Sequence, residues 1–218
     1  LTPNCVTGIQ QYSKQLLVTG NPSVDGVVRR DLMQILGLAI DLAALHGSGS
    51  GQPTGIANTT GIGSVALAAS GLALGNSTAY PFMVSLESLI AAANAPVDNL
   101  AYLMRSGHRG ALKVSSRFAS TDTPVWETNN TVNGYRAEVS NQIATNLTTG
   151  TATTICSAIF LGAWQELYIA SFGGGIDLVV DELTLASNRV VRLLAHQFCD
   201  IGVRHPAAFA CGGGVLTT

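Results

Sequence analysis

The sequence predicts a mixed α+β fold, and two stretches carry most of that reading. Between Ser23 and His46, apolar residues recur at three- and four-residue steps, the spacing of one helix face. Between Arg189 and Arg204, apolar residues fill six of the seven odd positions from Val191 to Val203, the alternation of a long strand with one buried face. Short apolar runs between them, among them Leu100–Met104 and Ile155–Leu161, suit buried strands bounded by polar residues.

The helix is expected from about Asp25 to His46, roughly 33 Å at 1.5 Å per residue. Ser23 or Asp25 can cap it, because a short side-chain oxygen accepts bonds from the first unpaired amides. Val28, Leu32, Ile35, Leu36, Ala39, Leu42 and Ala43 form the face assigned to the core. Ile35→Asp is accordingly expected to block folding, and Gln34→Asp to be mild. Gly47 stops the helix, by a left-handed turn that costs glycine nothing.

Before the helix, residues 5–19 read as an extended strand with Val6, Tyr12, Leu16 and Val18 on one parity, followed by a Gly20-Asn21-Pro22 break. After it, residues 57–80 have little periodicity and read as an irregular crossing. Pro81–Asn94 suits a second helix with Phe82, Leu86, Leu89, Ile90 and Ala93 on one face, closed by Pro96. A short helix capped by Ser106 follows. Residues 120–134 are a polar loop, and Gly134-Tyr135 turns into an edge strand ending near Val139. Ile155–Leu161 and Glu166–Ala170 flank Trp164 as strands. Ile176, Leu178 and Val180 alternate, and with the 189–204 run they make a long hairpin. Val191, Leu194, Ala195 and Phe198 would also suit a helix there. Pro206 ends that run, and Gly212-Gly213-Gly214 is expected to loosen the tail.

At 218 residues the chain suffices for one large domain or two small ones. Charged residues make up 11%, against roughly 25% in ordinary soluble domains. Nine of the eleven cations are Arg, which pairs well at partly buried interfaces. A surface so poor in charge suits a chain covered by copies of itself; the alternative is an ordinary charge-poor globule. No apolar window approaches 18 residues, which argues against a membrane-spanning helix. A formal charge of −2 without a basic run argues against a dedicated nucleic-acid reader.

Chemistry is hard to find. Gly47-Ser48-Gly49-Ser50-Gly51 follows a helix, where free carbonyls repel anions, so it is read as a flexible elbow rather than a phosphate loop. Gly61-Ile62-Gly63-Ser64-Val65-Ala66 matches a dinucleotide fingerprint loosely, with no acidic residue about twenty positions on. No serine has glycine at both −2 and +2, as a nucleophile elbow requires. Asp181-Glu182 reads as a turn. His46 reads as a helix end where a cation suits the dipole, His205 as a turn residue, and His108 and His196 stand apart. Cys5, Cys156, Cys199 and Cys211 lack zinc spacing and say little about disulfides. The sequons at Asn58, Asn76, Asn129 and Asn146 matter only in a secretory pathway that no signal supports. No catalytic, cofactor-binding or metal residues are assigned, and no cofactor is expected.

Three segments in order resemble the major capsid proteins of tailed bacteriophages, those with the Hong Kong-type capsid fold. Tyr12-Ser13-Lys14-Gln15-Leu16-Leu17 is similar to the stretch before that family's long spine helix. Ala39-Ile40-Asp41-Leu42-Ala43-Ala44-Leu45-His46-Gly47-Ser48-Gly49 with Pro53-Thr54-Gly55-Ile56 resembles its helix end, and Asp200-Ile201-Gly202-Val203-Arg204-His205-Pro206-Ala207-Ala208-Phe209 its closing strand. The resemblance implies a peripheral domain (1–55 and 173–206) with spine helix and hairpin, and an axial α/β domain (56–172 and 207–218). The family's upstream arm, extended loop and scaffolding segment are expected to be absent.

By the same resemblance the chain is a structural protein, not an enzyme, that builds an icosahedral shell around double-stranded DNA. Its partners would be other copies in pentamers and hexamers, with scaffolding, portal and decoration proteins and non-specifically packaged DNA, and no membrane. Its place would be the virion, and the host cytoplasm during assembly. Some relatives join a loop lysine to a hairpin asparagine; here that position falls on Arg189, one residue from Asn188, and Lys14 matches the pre-helix segment instead. Non-covalent contacts are therefore expected, with Arg189 in an ion pair. The alternatives are an encapsulin-like compartment enclosing protein, or, from another class, a soluble oligomeric enzyme with a cryptic site.

The missing constellation generates a test. Micromolar nucleotide is expected to leave the thermal unfolding midpoint unchanged; a clear rise would reveal a site, because tight binding to the folded state must stabilise it.

Overall fold

The computed structural model describes residues 1–19, 23–97 and 99–217. In chain order the elements are β1 (Asn4–Ser13), α1 (Lys14–Thr19), α2 (Ser23–His46), β2 (Gly63–Ser64), α3 (Ala79–Ala92), β3 (Ala101–Met104) and α4 (Ser106–Val114). There follow β4 (Thr131–Val132), β5 (Tyr135–Val139), β6 (Leu147–Thr149), β7 (Ala152–Gly162), β8 (Leu167–Asp181), β9 (Val190–Val203) and β10 (Phe209–Leu216). The chain divides into two compact units, one of Leu1–Thr54 with Ile169–Gly202, the other of Gly55–Tyr168 with Val203–Thr218.

The first unit is a three-stranded sheet, β1-β9-β8, with α2 laid on it. β1 and β9 run antiparallel, Asn4 opposite Cys199 and Tyr12 opposite Val191. Leu32 and Leu36 of α2 are buried with Leu193 and Ala195 of β9, while Val6, Tyr12, Val28 and Leu178 close the margins. Gly8 sits beneath them: a Cβ there would lie 2.8 Å from Leu32 Cδ1 and 3.4 Å from Leu36 Cδ2. The missing side chain lets the helix come down onto the strand.

Several expectations for this unit need correction. Ile35 and Leu42 do not face the sheet; both are exposed, so the buried arc of α2 is narrower than its apolar arc. Lys14–Thr19 is helical rather than extended, and Leu16 and Val18 are exposed. Ser13 starts that turn, its Oγ accepting the Leu16 amide at 3.2 Å. Gly47 is required by crowding rather than by a left-handed φ, since a Cβ would lie 2.1 Å from the Pro53 carbonyl oxygen. Gly49 and Gly51 take the left-handed positions instead. The 189–204 run resolves to strand over Val190–Val203, with Asp200 buried in it and accepting the Thr2 amide at 2.7 Å. The Gly20-Asn21-Pro22 break and the side chains of Ser23 and Asp25, hence the expected cap, lie outside the described residues.

The second unit is built on a sheet of order β2-β10-β7-β3-β5-β4, with β6 paired to β7. α3 covers it with Phe82, Met83, Leu86 and Ile90, all buried. Tyr102, on β3, donates its hydroxyl to the Met83 carbonyl at 2.9 Å, and burial pushes its pKa well above the usual phenol value. The C-terminal glycines are not a loose tail. β10 lies between β2 and β7, and a Cβ on Gly212 would fall 2.3 Å from Phe82 Cζ. Glycine there admits the aromatic ring to the sheet surface.

Two smaller readings change as well. Ser106 is the first residue of α4, preceded by Arg105 at the cap position; its hydroxyl donates to Asn141 Oδ1 at 2.8 Å. β5 is flanked by β3 and by the two-residue β4, so it is not the sheet edge. Asn133 and Gly134, both with left-handed φ (52° and 78°), join β4 to β5 in a two-residue hairpin turn that demands such residues. Among the described residues no helix is long and apolar enough to cross a membrane.

The packing of α2 predicts a contrast between neighbours. Leu36→Ala is expected to destabilise the first unit by about 2–5 kcal/mol, whereas Ile35→Asp should stay within about 1 kcal/mol. Denaturant midpoints of the isolated chain measure both.

Candidate assembly surfaces

The surfaces left apolar follow from the same packing. On α2, Val27 (51% exposed), Ile35 (53%), Leu38 (47%) and Leu42 (44%) stand away from the sheet. At 100° per residue, positions 27, 31, 35, 38 and 42 make one stripe, broken only by Asp31. Four large side chains in a row on one helix is more than the scattered exposure of a solitary surface. Across the sheet, Ile9, Phe198 and Val179 are also exposed, with the Thr7 hydroxyl and His196 Nδ1 3.1 Å apart among them. β1 and β8 are both edges of the three-stranded sheet, so each carries backbone groups without a strand partner on one side.

In the second unit Val114 and Phe118 are exposed near a polar network that fixes its surroundings. Phe118 meets Tyr80 edge-on, ring centroids 5.6 Å apart, and the Arg117 guanidinium lies 5.2 Å from the Tyr80 ring centre. Arg117 also pairs with Glu127, which accepts the Thr131 hydroxyl at 2.7 Å. Tyr80 donates to Asn133 Oδ1 at 3.0 Å, and Glu87 accepts Asn133 Nδ2 at 2.5 Å and the Tyr135 hydroxyl at 3.0 Å. Three elements, α3, β5 and the β4–β5 turn, are thereby joined through one carboxylate.

The sequence features examined for chemistry are not brought together. The 47–54 loop closes on itself, the Gly49 amide donating to the Pro53 carbonyl at 3.3 Å and Gln52 Nε2 to Ser48 Oγ at 2.8 Å, so it is a tight return rather than a flexible elbow. Gly63-Ser64 is strand, paired in parallel with Ala210 and Cys211, and opens no helix. The Asp181 carboxylate accepts the Leu183 and Thr184 amides, both at 3.0 Å. Bonds from the Thr184 side chain, the Thr184 backbone and the Leu183 backbone hold its pKa below the usual carboxylate value. Glu182 instead pairs with Lys14 at 3.4 Å, exposed on both sides and worth little.

His46 does end the helix, and burial lowers its pKa, opposing the cation that the dipole favours. His205 lies 3.8 Å from Glu166. All four cysteines are free, and among the described residues no three His, Cys, Asp or Glu side chains form a metal cluster. Arg189 adopts a left-handed φ of 55°, and its carbonyl accepts the Lys14 amide at 2.7 Å. Among the described residues it forms no ion pair. Asn188 and Arg189 border a cleft with Ser13, Lys14, Val18 and Thr19.

What the geometry offers, then, is contact surface, and the whole of this architecture has relatives. A sequence profile of the phage capsid family matches residues 2–213. The chain belongs to the phage capsid family. The major capsid protein of Halomonas phage phiHAP-1 is 30% identical over 211 residues, 96% of this chain but 32% of that protein, so the chain spans about a third of its curated relative's length. Among solved structures, the capsid of a native GTA particle superposes with a TM-score of 0.72 at 17% identity, covering 98% of this chain and 73% of that one. The Mycobacterium phage Ogopogo structure gives 0.68 at 17% identity, covering 97% and 75%. The holo-SrpI encapsulin complex from Synechococcus elongatus PCC 7942 gives 0.62 at 12%, covering 99% and 75%. These structures share the α+β capsid fold with this family member.

The stripe on α2 was missed by sequence reasoning, although a signal existed. Apolar residues surround more of α2 than one sheet can cover, so a second contact was implied.

The Glu87 network generates its own test. Tyr135→Phe is expected to cost about 1 kcal/mol by removing one donor from that carboxylate, read as a lower denaturant midpoint for the second unit.

Proposed function

We propose that this chain is the shell-forming part of a phage major capsid protein, assembling as many copies around double-stranded DNA. The family match over residues 2–213 is the observation that carries this reading. In it, the unit holding α2 and the β8–β9 hairpin is the peripheral domain, and the unit holding the larger sheet is the axial domain of pentamers and hexamers. Scaffolding, portal and decoration proteins are its further partners. Its place is the virion, reached through assembly in the host cytoplasm.

Physical features support the assignment. Burying the remaining exposed half of each of Val27, Ile35, Leu38 and Leu42 against a neighbour would contribute about 1 kcal/mol, enough for many weak contacts to close a shell. A near-neutral chain can line a wall around DNA without gripping it, since each phosphate contact would add salt-dependent affinity. The encapsulin likeness is one of fold, at 12% identity, and lends protein cargo no comparable support.

Particles isolated with this chain as their main component should be closed shells by electron microscopy, holding nuclease-protected DNA. Protein cargo in place of DNA would overturn the phage reading, and a small soluble oligomer would overturn the shell. Leu38→Asp is expected to abolish particles while leaving the subunit's unfolding midpoint within about 1 kcal/mol of the parent. Normal particles from that variant would remove the α2 stripe from the interface.

A further inference from the structure

His108 is a titratable group that no contact surface uses. It lies on α4 at 1% exposure, and among the described residues neither Nδ1 nor Nε2 has a hydrogen-bond partner. A neutral imidazole has one N–H and one lone pair to leave unpaired there. The imidazolium has two N–H groups and a full charge, and burying that without a partner costs far more.

Among the described residues no side chain around α4 offsets the charge. α4 and its cap carry Arg105, Arg109 and Lys113, all cationic. The 124–127 segment, whose Trp126 amide donates to the Leu112 carbonyl, contributes Glu127, already engaged by Arg117 and Thr131. β10 contributes Cys211, whose thiol burial pushes up to about 12. The 72–74 and 141–143 segments, which meet α4 through Leu74, Asn141 and Ile143, contain no titratable side chain. Of these groups only Arg105 acts on the ring, and it repels a proton. The Leu216 backbone favours a proton, yet neither nitrogen meets hydrogen-bond geometry.

We propose that His108 is an acid-sensitive latch, whose protonation loosens α4 and the end of β10 from the second unit. Burial holds its pKa down at about 4, against 6.5 in a solvated chain. The sign follows from linkage. A histidine lowered on folding contributes its stability in full above 6.5 and loses it as pH falls toward 4, because the opened state binds the proton more tightly. Well inside that window each pH unit multiplies the opening constant by up to about tenfold, and the slope falls off near either pKa. The latch belongs to a single chain and stands whether or not copies assemble.

His46, lowered by burial in the first unit, acts in the same direction, so the readout must be local. Amide exchange of α4 and β10, corrected for the intrinsic pH dependence of exchange, gives the opening constant at each pH. Between pH 6.5 and 4.5 that constant is expected to rise about fortyfold in the parent and to stay nearly flat in His108→Leu. An equal rise in the variant overturns the latch. Should His108→Leu fail to fold, the imidazole proton resonances of the parent decide the matter. A ring still neutral at pH 5 in the native state supports the latch, and a ring already protonated there, with α4 and β10 amides still protected, overturns it.

Discussion

The approach of α2 to the β1–β9 pair is set by Gly8, which leaves the space that Leu32 and Leu36 fill. A methyl group at that position would meet Leu32 at 2.8 Å, and the helix would have to lift or its side chains move. Lifting would open the buried contacts of Leu193 and Ala195 on β9, the strand that holds β1 and β8 together. Among the described residues the only other α-helix of the first unit is the short α1, so much of its stability rests on this seam.

Because the seam takes only one side of α2, the other side is left for something else. The apolar stripe from Val27 to Leu42, the edges of β1 and β8, and the exposed Ile9 and Phe198 would be costs for a solitary protein. With 11% charged residues, little on the surface opposes association. For a phage capsid family member these features are consistent demands of one design. In the shell proposed for this chain, contacts between copies would be many and individually modest, which suits an apolar surface spread over several elements.

The second unit solves a different problem, bringing a C-terminal strand into the middle of a sheet. β10 can sit between β2 and β7 because Gly212 yields room to Phe82 and Gly162 yields room to Phe209, whose Cδ1 would lie 2.1 Å from an added Cβ. Nearby, Glu87 ties α3 to the β4–β5 hairpin through Asn133 and Tyr135. The Glu87 carboxylate is satisfied by its neighbours at this corner, whereas the imidazole of His108 is not.

The sequence by itself determined the long helix, the alternation of β9, the short strand β3 and the Ile155–Leu161 part of β7, because their apolar patterns are local properties of the chain. It also carried the family, through ordered motifs from Tyr12 to Phe209. Only the tertiary structure decided which apolar residues of α2 are covered. Ile35 and Leu36 are adjacent and equally apolar, yet one is exposed and the other buried, since the sheet reaches only part of the helix circumference. It alone decided the meaning of the glycines. Gly47 answers to the Pro53 carbonyl across the returning loop and Gly212 to the Phe82 ring far away in sequence, and the emptiness a neighbour requires leaves no pattern of its own. The isolation of His108 is of the same kind, because a missing partner is a fact about every segment that packs around the ring.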